Sequence, residues 1–433
     1  MSVVGSRVRW SRSSWLLLSA TLALSACAGQ VPQMPLSSAP GAALPPAGAA
    51  NGAGGYGRTS GNVLLLAPLS GPYAGIGQAL ANAARLAFPA SGGVALDVRD
   101  TGGTAAGAAA AAQAGIAAGD GIIIGPLTAD ETKAVVPVAR QAGVNMLPFT
   151  NDGTVAAPGV WPLGITPTQQ VARVVRAAAD GGHTQLAALL SDDDFGHHLA
   201  NALTDAASKQ GEPAPEIVYY EAGFAGVNSA VEQISDFADR GQGLVDQIKA
   251  AEEEGTAAGR AKADALRHQP VPPPPFNALF IGATNAATLA EMANFLPYYD
   301  VNPPQVQLLG PTLWSGLAPQ MASQSVFIGA LYAAPDPASA QAFDAKYQSV
   351  YGAPPPAIAD VAFDAAAIAR VAAGNGGYTS AVLTTPSGFA GSDGLVVLNP
   401  DGTVKRGLAV FAVAPGQPVM SAPAPTSPGQ PAN

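Results

Sequence analysis

From Asn62 onward the chain alternates short apolar runs with alanine-rich stretches of helical length, and no other feature restricts its fold as much. The runs VLLLAPL (63–69), VALDV (94–98), GIIIG (121–125) and VNMLPF (144–149) are bounded by Gly, Pro or Asp and read as strands. Between them YAGIGQALANAARLAF, TAAGAAAAAQAGIAAG and TADETKAVVPVARQAG have helical length and content. Strand, helix, strand, helix argues for a parallel sheet with right-handed crossovers. After PLGITPTQQ the pattern starts again: a helix at 169–179, then QLAALL, FGHHLANALTDAASKQG, EIVYYEA, a long helix, NALFIGA, a helix at 286–296 and VQLLG. That restart predicts a second α/β lobe.

The N-terminus has a different build. The apolar run LLLSATLALSA, behind Arg7, Arg9 and Arg12, is too short for a bilayer core and reads as an export signal. It ends at Cys27, the only cysteine in 433 residues. Leu24-Ser25-Ala26-Cys27 resembles the lipobox of bacterial lipoproteins, which implies that Cys27 is lipidated and becomes the first mature residue. A buried free cysteine is the competing reading, but an arginine-led apolar run is an export pattern rather than an interior one. Ala28 stands where an Asp would favour retention at the inner membrane, so the resemblance leans to the outer membrane.

Residues 28 to about 60 are Pro, Gly, Ala and Ser with little apolar bulk, and the tail from Pro415 is alike; both read as disordered. About 355 residues remain, more than one hydrophobic core usually serves. Losing Arg7, Arg9 and Arg12 takes the formal charge from −10 to −13. A surface that acidic has no electrostatic reason to bind nucleic acid or anionic headgroups, so membrane contact is expected through the lipid alone.

Gly75-Ile76-Gly77 after a strand, with Asp97 twenty residues on, imitates a dinucleotide fingerprint. The third glycine falls on Leu80, and PLSGPY separates strand from glycine where a tight turn is needed. No cofactor is expected. His183, His197, His198 and His268 do not join acids or a cysteine at metal-ligand spacing. Neither a G-x-S-x-G elbow nor an S-x-x-K is present, so catalytic and metal sites are both expected to be absent.

The stretches LLLAPLSGPYAGIGQALANAARLA, DVRDTGG, GIIIGPLTADETKAVVPVARQAGVNMLPFTND and WPLGITPTQQ resemble the first lobe of the type I periplasmic binding proteins, the branched-chain amino acid receptor group. The resemblance continues through LLSDDDFGHHLANAL, FDAKYQSVYGAPPPAIADVAFDAAAIARVAA and GFAGSDGLVVLNPDGTVKRGLAVFAV. It implies a two-lobed α/β fold, each lobe a mostly parallel sheet flanked by helices. On this reading 1–26 is the signal peptide, 27–60 the tether, 61–166 and 335–386 lobe 1, 167–334 and 387–414 lobe 2, and 415–433 the tail. Crossings between lobes are expected near 164–167, 333–337 and 385–391. Within the group, LLGPTLWSG (308–316), the charged helical insertion 237–275 and the lipobox most resemble the penicillin-binding-protein activator lipoproteins.

In an open parallel sheet the binding loops lie at the carboxyl ends of strands. Those ends carry Ser70, Tyr73, Thr128, Thr150 and Asn151 in the first lobe. The resemblance implies that Thr128 and Thr150 stand where amino-acid receptors grip a ligand carboxylate. The second lobe offers Asp193, Phe195, Thr284, Asn285 and Trp314, with Asp194 expected to cap the following helix. Phe195 stands where receptors often have tyrosine, which removes a hydroxyl. Two functions follow from the resemblance. One is a non-enzymatic lipoprotein partner of class A penicillin-binding proteins or other cell-wall synthases. The other is a solute-binding lipoprotein delivering an amino acid or similar small polar ligand, held in the interlobe cleft, to an ABC transporter.

Overall fold

The computed structural model describes residues 56–88 and 93–427. Cys27, the signal and residues 27–55 of the tether lie outside the described residues.

The first lobe is built from β1 (Val63–Ala67), α1 (Ala74–Leu86), β2 (Leu96–Asp100), α2 (Ala105–Ala118), β3 (Ile122–Ile124), α3 (Ala129–Gln141) and β4 (Asn145–Leu147). The strands are all parallel, in the order β2-β1-β3-β4. Leu65 and Ile124 face a core layer shared with α1, whereas Leu64 and Ile123 face one shared with α2 and α3. A strand covered on both faces cannot alternate apolar with polar, which is why β1 reads VLLLA. Gly77 has a packing role: a Cβ there would lie 2.0 Å from the Pro68 carbonyl oxygen, so only glycine lets α1 sit this close to the strand end.

The second sheet is fed by α4 (Pro167–Asp180), β5 (Leu186–Ser191), α5 (Asp194–Gln210), β6 (Glu216–Tyr220), α6 (Phe224–Ser235), α7 (Phe237–Glu253), α8 (Ala257–Arg267), β7 (Ala278–Ile281), α9 (Ala286–Tyr298), β8 (Gln307–Gly310), α10 (Trp314–Met321) and β9 (Leu331–Ala334). Its β6, β5, β7, β8 and β9 are parallel. Val171, Val174, Leu199 and Leu203 of α4 and α5 pack on one face, and Val227, Val231, Leu289 and Met292 of α6 and α9 pack on the other. Each lobe is therefore a three-layer sandwich, as the repeated pattern requires.

The chain then returns through α11 (Pro337–Tyr351) and α12 (Ala359–Gly374), whose Phe343, Ala362, Ala366 and Ala369 join the core of β1 and α1. After the short α13 (Ser380–Leu383) come β10 (Phe389–Gly391), β11 (Gly394–Leu398) and β12 (Val404–Arg406), a separate antiparallel sheet. β13 (Ala409–Ala412) pairs antiparallel with β9, and β14 (Val419–Ala422) with β13.

Three details differ from the sequence reading. Phe389, Val396, Leu398 and Val404 are buried in the first lobe's core, so β10–β12 pack with it and the third crossing falls between Arg406 and Ala409 rather than at 385–391. The tail expected to be disordered from 415 carries β14, and Pro423 accepts a hydrogen bond from Arg173. The end of the expected tether is also held: the Tyr56 carbonyl accepts from the Ser380 amide and hydroxyl, and the Arg58 carbonyl accepts from the Tyr378 amide. These partners are distant in sequence, and composition does not reveal them.

The insertion forms two helices broken at Gly255, whose φ of +64° suits glycine. Leu244, Ile248 and Ala251 meet Ala263 and Leu266 in a small core of their own, and Glu252 pairs with Arg267. Arg240 fastens the base, donating to the Pro272 and Tyr299 carbonyls.

Candidate functional site

Asp100 organises the first two loops at the strand ends, accepting from the amides of Leu69 at 2.8 Å, Ser70 at 3.2 Å and Gly102 at 2.8 Å. Hydrogen bonds from Ser70 and Gly102 hold its carboxyl below the usual range. Ser70 is exposed, and Tyr73 is exposed too, its ring beside Gly103.

The third loop is where a ligand carboxylate was expected, and a carboxylate of the chain itself sits there. Thr128 caps α3, and its hydroxyl accepts from the Glu131 amide at 3.2 Å and donates to Glu131 Oε2 at 2.9 Å. The Thr128 amide donates to the same Oε2 at 3.0 Å, and Thr101 Oγ1 donates to Oε1. Glu131 is only 1% exposed. The helix start, which favours negative charge, is thus filled from within.

Thr150 is buried, and its hydroxyl accepts from the Asp152 amide at 3.1 Å. Asp152 in turn caps the turn Gly153–Val155 and approaches Lys133 Nζ at 3.6 Å. Asn151 is exposed beside them.

In the second lobe Asp193, not Asp194, caps α5, accepting from the Gly196 amide at 2.8 Å. Asp194 is already the first helical residue. Thr284 is exposed, and Asn285 caps α9 through the Thr288 amide. Trp314 is no cleft residue: it is fully buried, stacked over Gly310, with Nε1 donating to the Ala283 carbonyl at 2.9 Å.

A groove of about 480 Å³ lies between the 151–162 loop, the start of α4, α5 and β12. Of the ten residues singled out above, it gathers Asn151 and Phe195. Its other polar groups include Thr154, Thr166, His198, Asn201 and Asp205. Phe195, His198, Asn201 and Asp205 recur at helical spacing on one face of α5, a signal visible in the sequence but masked by the alanine-rich context. The groove offers hydrogen bonds on a half-apolar wall and no cluster of metal-ligating side chains exists among the described residues. Nor is any described helix long and apolar enough to cross a membrane.

A family model described as "Periplasmic binding protein" matches residues 62–387. The chain belongs to the type I periplasmic binding protein family. Solved structures agree in fold. A Rhodospirillum rubrum protein described as a branched-chain amino acid ABC transporter aligns at a TM-score of 0.61 and 18% identity, covering 83% of this chain and 99% of that one. The C-domain of LpoA from Haemophilus influenzae, a regulator of PBP1A, aligns at 0.58 and 16%, covering 83% and 100%. Full-length LpoA aligns at 0.60 and 15%, covering 84% of this chain and 60% of that one. No curated protein matches the sequence.

Proposed function

We propose that this family member is a non-enzymatic, lipid-anchored periplasmic partner of peptidoglycan synthases, an activator or scaffold tethered through Cys27, with the outer membrane as its site. The observation that carries this reading is Glu131, whose buried carboxylate takes both Thr101 and Thr128. A receptor for amino acids needs donors left free for the ligand's carboxylate; here a side chain of the protein consumes them. Phe195 adds no hydroxyl to the opposite wall, and the α7–α8 hairpin enlarges the second lobe with a charged, projecting surface. LpoA, of the same fold, is described as a regulator of PBP1A, which is the class of partner proposed.

A solute receptor is the second reading, favoured by the groove that gathers the polar side chains of Asn151, His198 and Asn201. The deciding experiment combines a pull-down and a glycan-strand synthesis assay using purified class A penicillin-binding proteins with calorimetry against an amino-acid panel. Binding and stimulation of the synthase are expected. Neither, together with tight binding of an amino acid, would replace the first reading by the second. Mass spectrometry of the mature N-terminus tests the anchor: diacylglycerol on Cys27 is expected, and a free thiol refutes it.

A further inference from the structure

Next to the groove just described, across the contact between Gln169 and Val404, a second cavity of about 370 Å³ opens between α4, β11, β12 and the segment around Pro425. Its charged lining is Arg173, Arg176, Lys405 and Arg406, with no aspartate or glutamate. The chain has 30 acidic and 20 basic residues, so three cationic side chains and no acid in the lining run against its composition, the Arg406 side chain being only 2% exposed.

Only part of that charge is engaged. Arg406 is committed to Asp364 and Asp393, and Arg176 to Asp180 on the surface. The exposed Lys405 side chain has no hydrogen bond or close ion pair among the described residues, and its charge helps to lower the Asp401 carboxyl. Arg173 is 8% exposed; its Nε donates to the Leu408 carbonyl at 2.8 Å and Nη2 to the Pro423 carbonyl at 3.0 Å, while Nη1 is buried without a partner among the described residues. A buried guanidinium nitrogen with a free proton costs stability unless an acceptor arrives. Gln169, Arg173 and Arg176 lie on one face of α4, and Leu395, Val397 and Pro425 supply apolar walls.

We propose that this cavity is an oxyanion site, taking a carboxylate or phosphate carried on a compact apolar group. Arg176 and Lys405 meet the ligand's oxygens at the mouth, the buried Arg173 guanidinium adds positive charge behind them, and Leu395 and Val397 cover the apolar body. Charge-assisted hydrogen bonds to planar guanidinium are the strong ones, and Arg176 offers one at the mouth. The site is independent of the synthase proposal and stands or falls without it.

The test is thermal unfolding and calorimetry of the purified chain with sodium phosphate and, separately, sodium benzoate, against sodium chloride at matched ionic strength. Saturable stabilisation by phosphate or benzoate and none by chloride is expected, and the arm that saturates identifies the headgroup. Arg173→Met is liable to disturb packing through Leu408 and Pro423, so the decisive variant is the exposed, unbonded Lys405→Ala, expected to weaken binding about tenfold, with Arg176→Ala similar. No saturable effect of either oxyanion, or an affinity unchanged in Lys405→Ala, would overturn the assignment.

Discussion

Thr128 and Glu131 close on each other at the start of α3, hydroxyl to amide at 3.2 Å and carboxylate to hydroxyl at 2.9 Å. The pair is a capping box whose acidic member also receives Thr101 from the neighbouring loop, so one buried carboxylate ties β2's loop to a helix N-terminus.

Removing the carboxylate exposes its value. Glu131→Ala leaves the Thr128 amide and the Thr101 hydroxyl buried without acceptors, so a loss of about 2–3 kcal/mol is expected. Urea unfolding measures it. An unchanged midpoint would mean that water reaches these donors and the junction is open.

Trp314 follows a strand end, where sequence places cleft residues, yet it fills the core beneath α10 with Phe327. Trp314→Ala is therefore expected to cost about 3–5 kcal/mol, the penalty of a large buried cavity. Tyr73→Ala, at an exposed position in the first lobe, is expected to change stability by no more than about 0.5 kcal/mol. Paired denaturation curves distinguish the two, and equal effects would contradict the burial assigned here.

What the sequence disclosed and what it hid divide along physical lines. β1 and α12 were legible because a strand buried on both faces and an alanine-rich helix carry their environment in their composition. The T-x-x-E spacing at 128–131 carries the capping box in the sequence, whereas the resemblance to amino-acid receptors implies a ligand contact for Thr128. β14 and the burial of Phe389 and Val396 depend on which distant segment lies alongside, a tertiary fact without local periodicity. Asp193 and Asp194 differ by one position, the margin within which a helix start is read from a run of caps.

The α7–α8 hairpin stands on its own small core, and its base is pinned by Arg240 to Pro272. Because residues 240 and 272 are in contact, replacing 242–270 by a short glycine-serine link is expected to leave the two sheets folded, by circular dichroism and cooperative unfolding. If the hairpin is a docking surface for a synthase, the deletion abolishes pull-down while stability changes little. Full retention of synthase binding would assign docking to another face.

The last prediction concerns pH. Three carboxylates, Asp360, Asp364 and Asp393, crowd around Arg406 close to the third crossing, and Arg406 also donates to the Leu163 carbonyl beside the first. Burial pushes Asp364 up to about 6, Asp393 adds to the rise, and Arg406 with the Ser392 hydrogen bonds opposes it. Asp360 is raised as well, first by burial and then by its hydrogen bond to Asp393. A carboxyl whose folded pKa lies above its unfolded one binds its proton more tightly in the native state. Its contribution is therefore fully present below pH 4 and is lost as pH rises through about 6. For Asp364 the loss is about 3 kcal/mol between those limits. Asp364→Asn keeps the shape and an acceptor for Ser392 but no longer titrates. Its stability relative to the wild type is thus expected to improve by about that amount between pH 4 and pH 7, read from urea unfolding at both. A variant that instead loses ground as pH rises would show that the attraction of Arg406 outweighs burial, and that the cluster is held by its charges rather than strained by them.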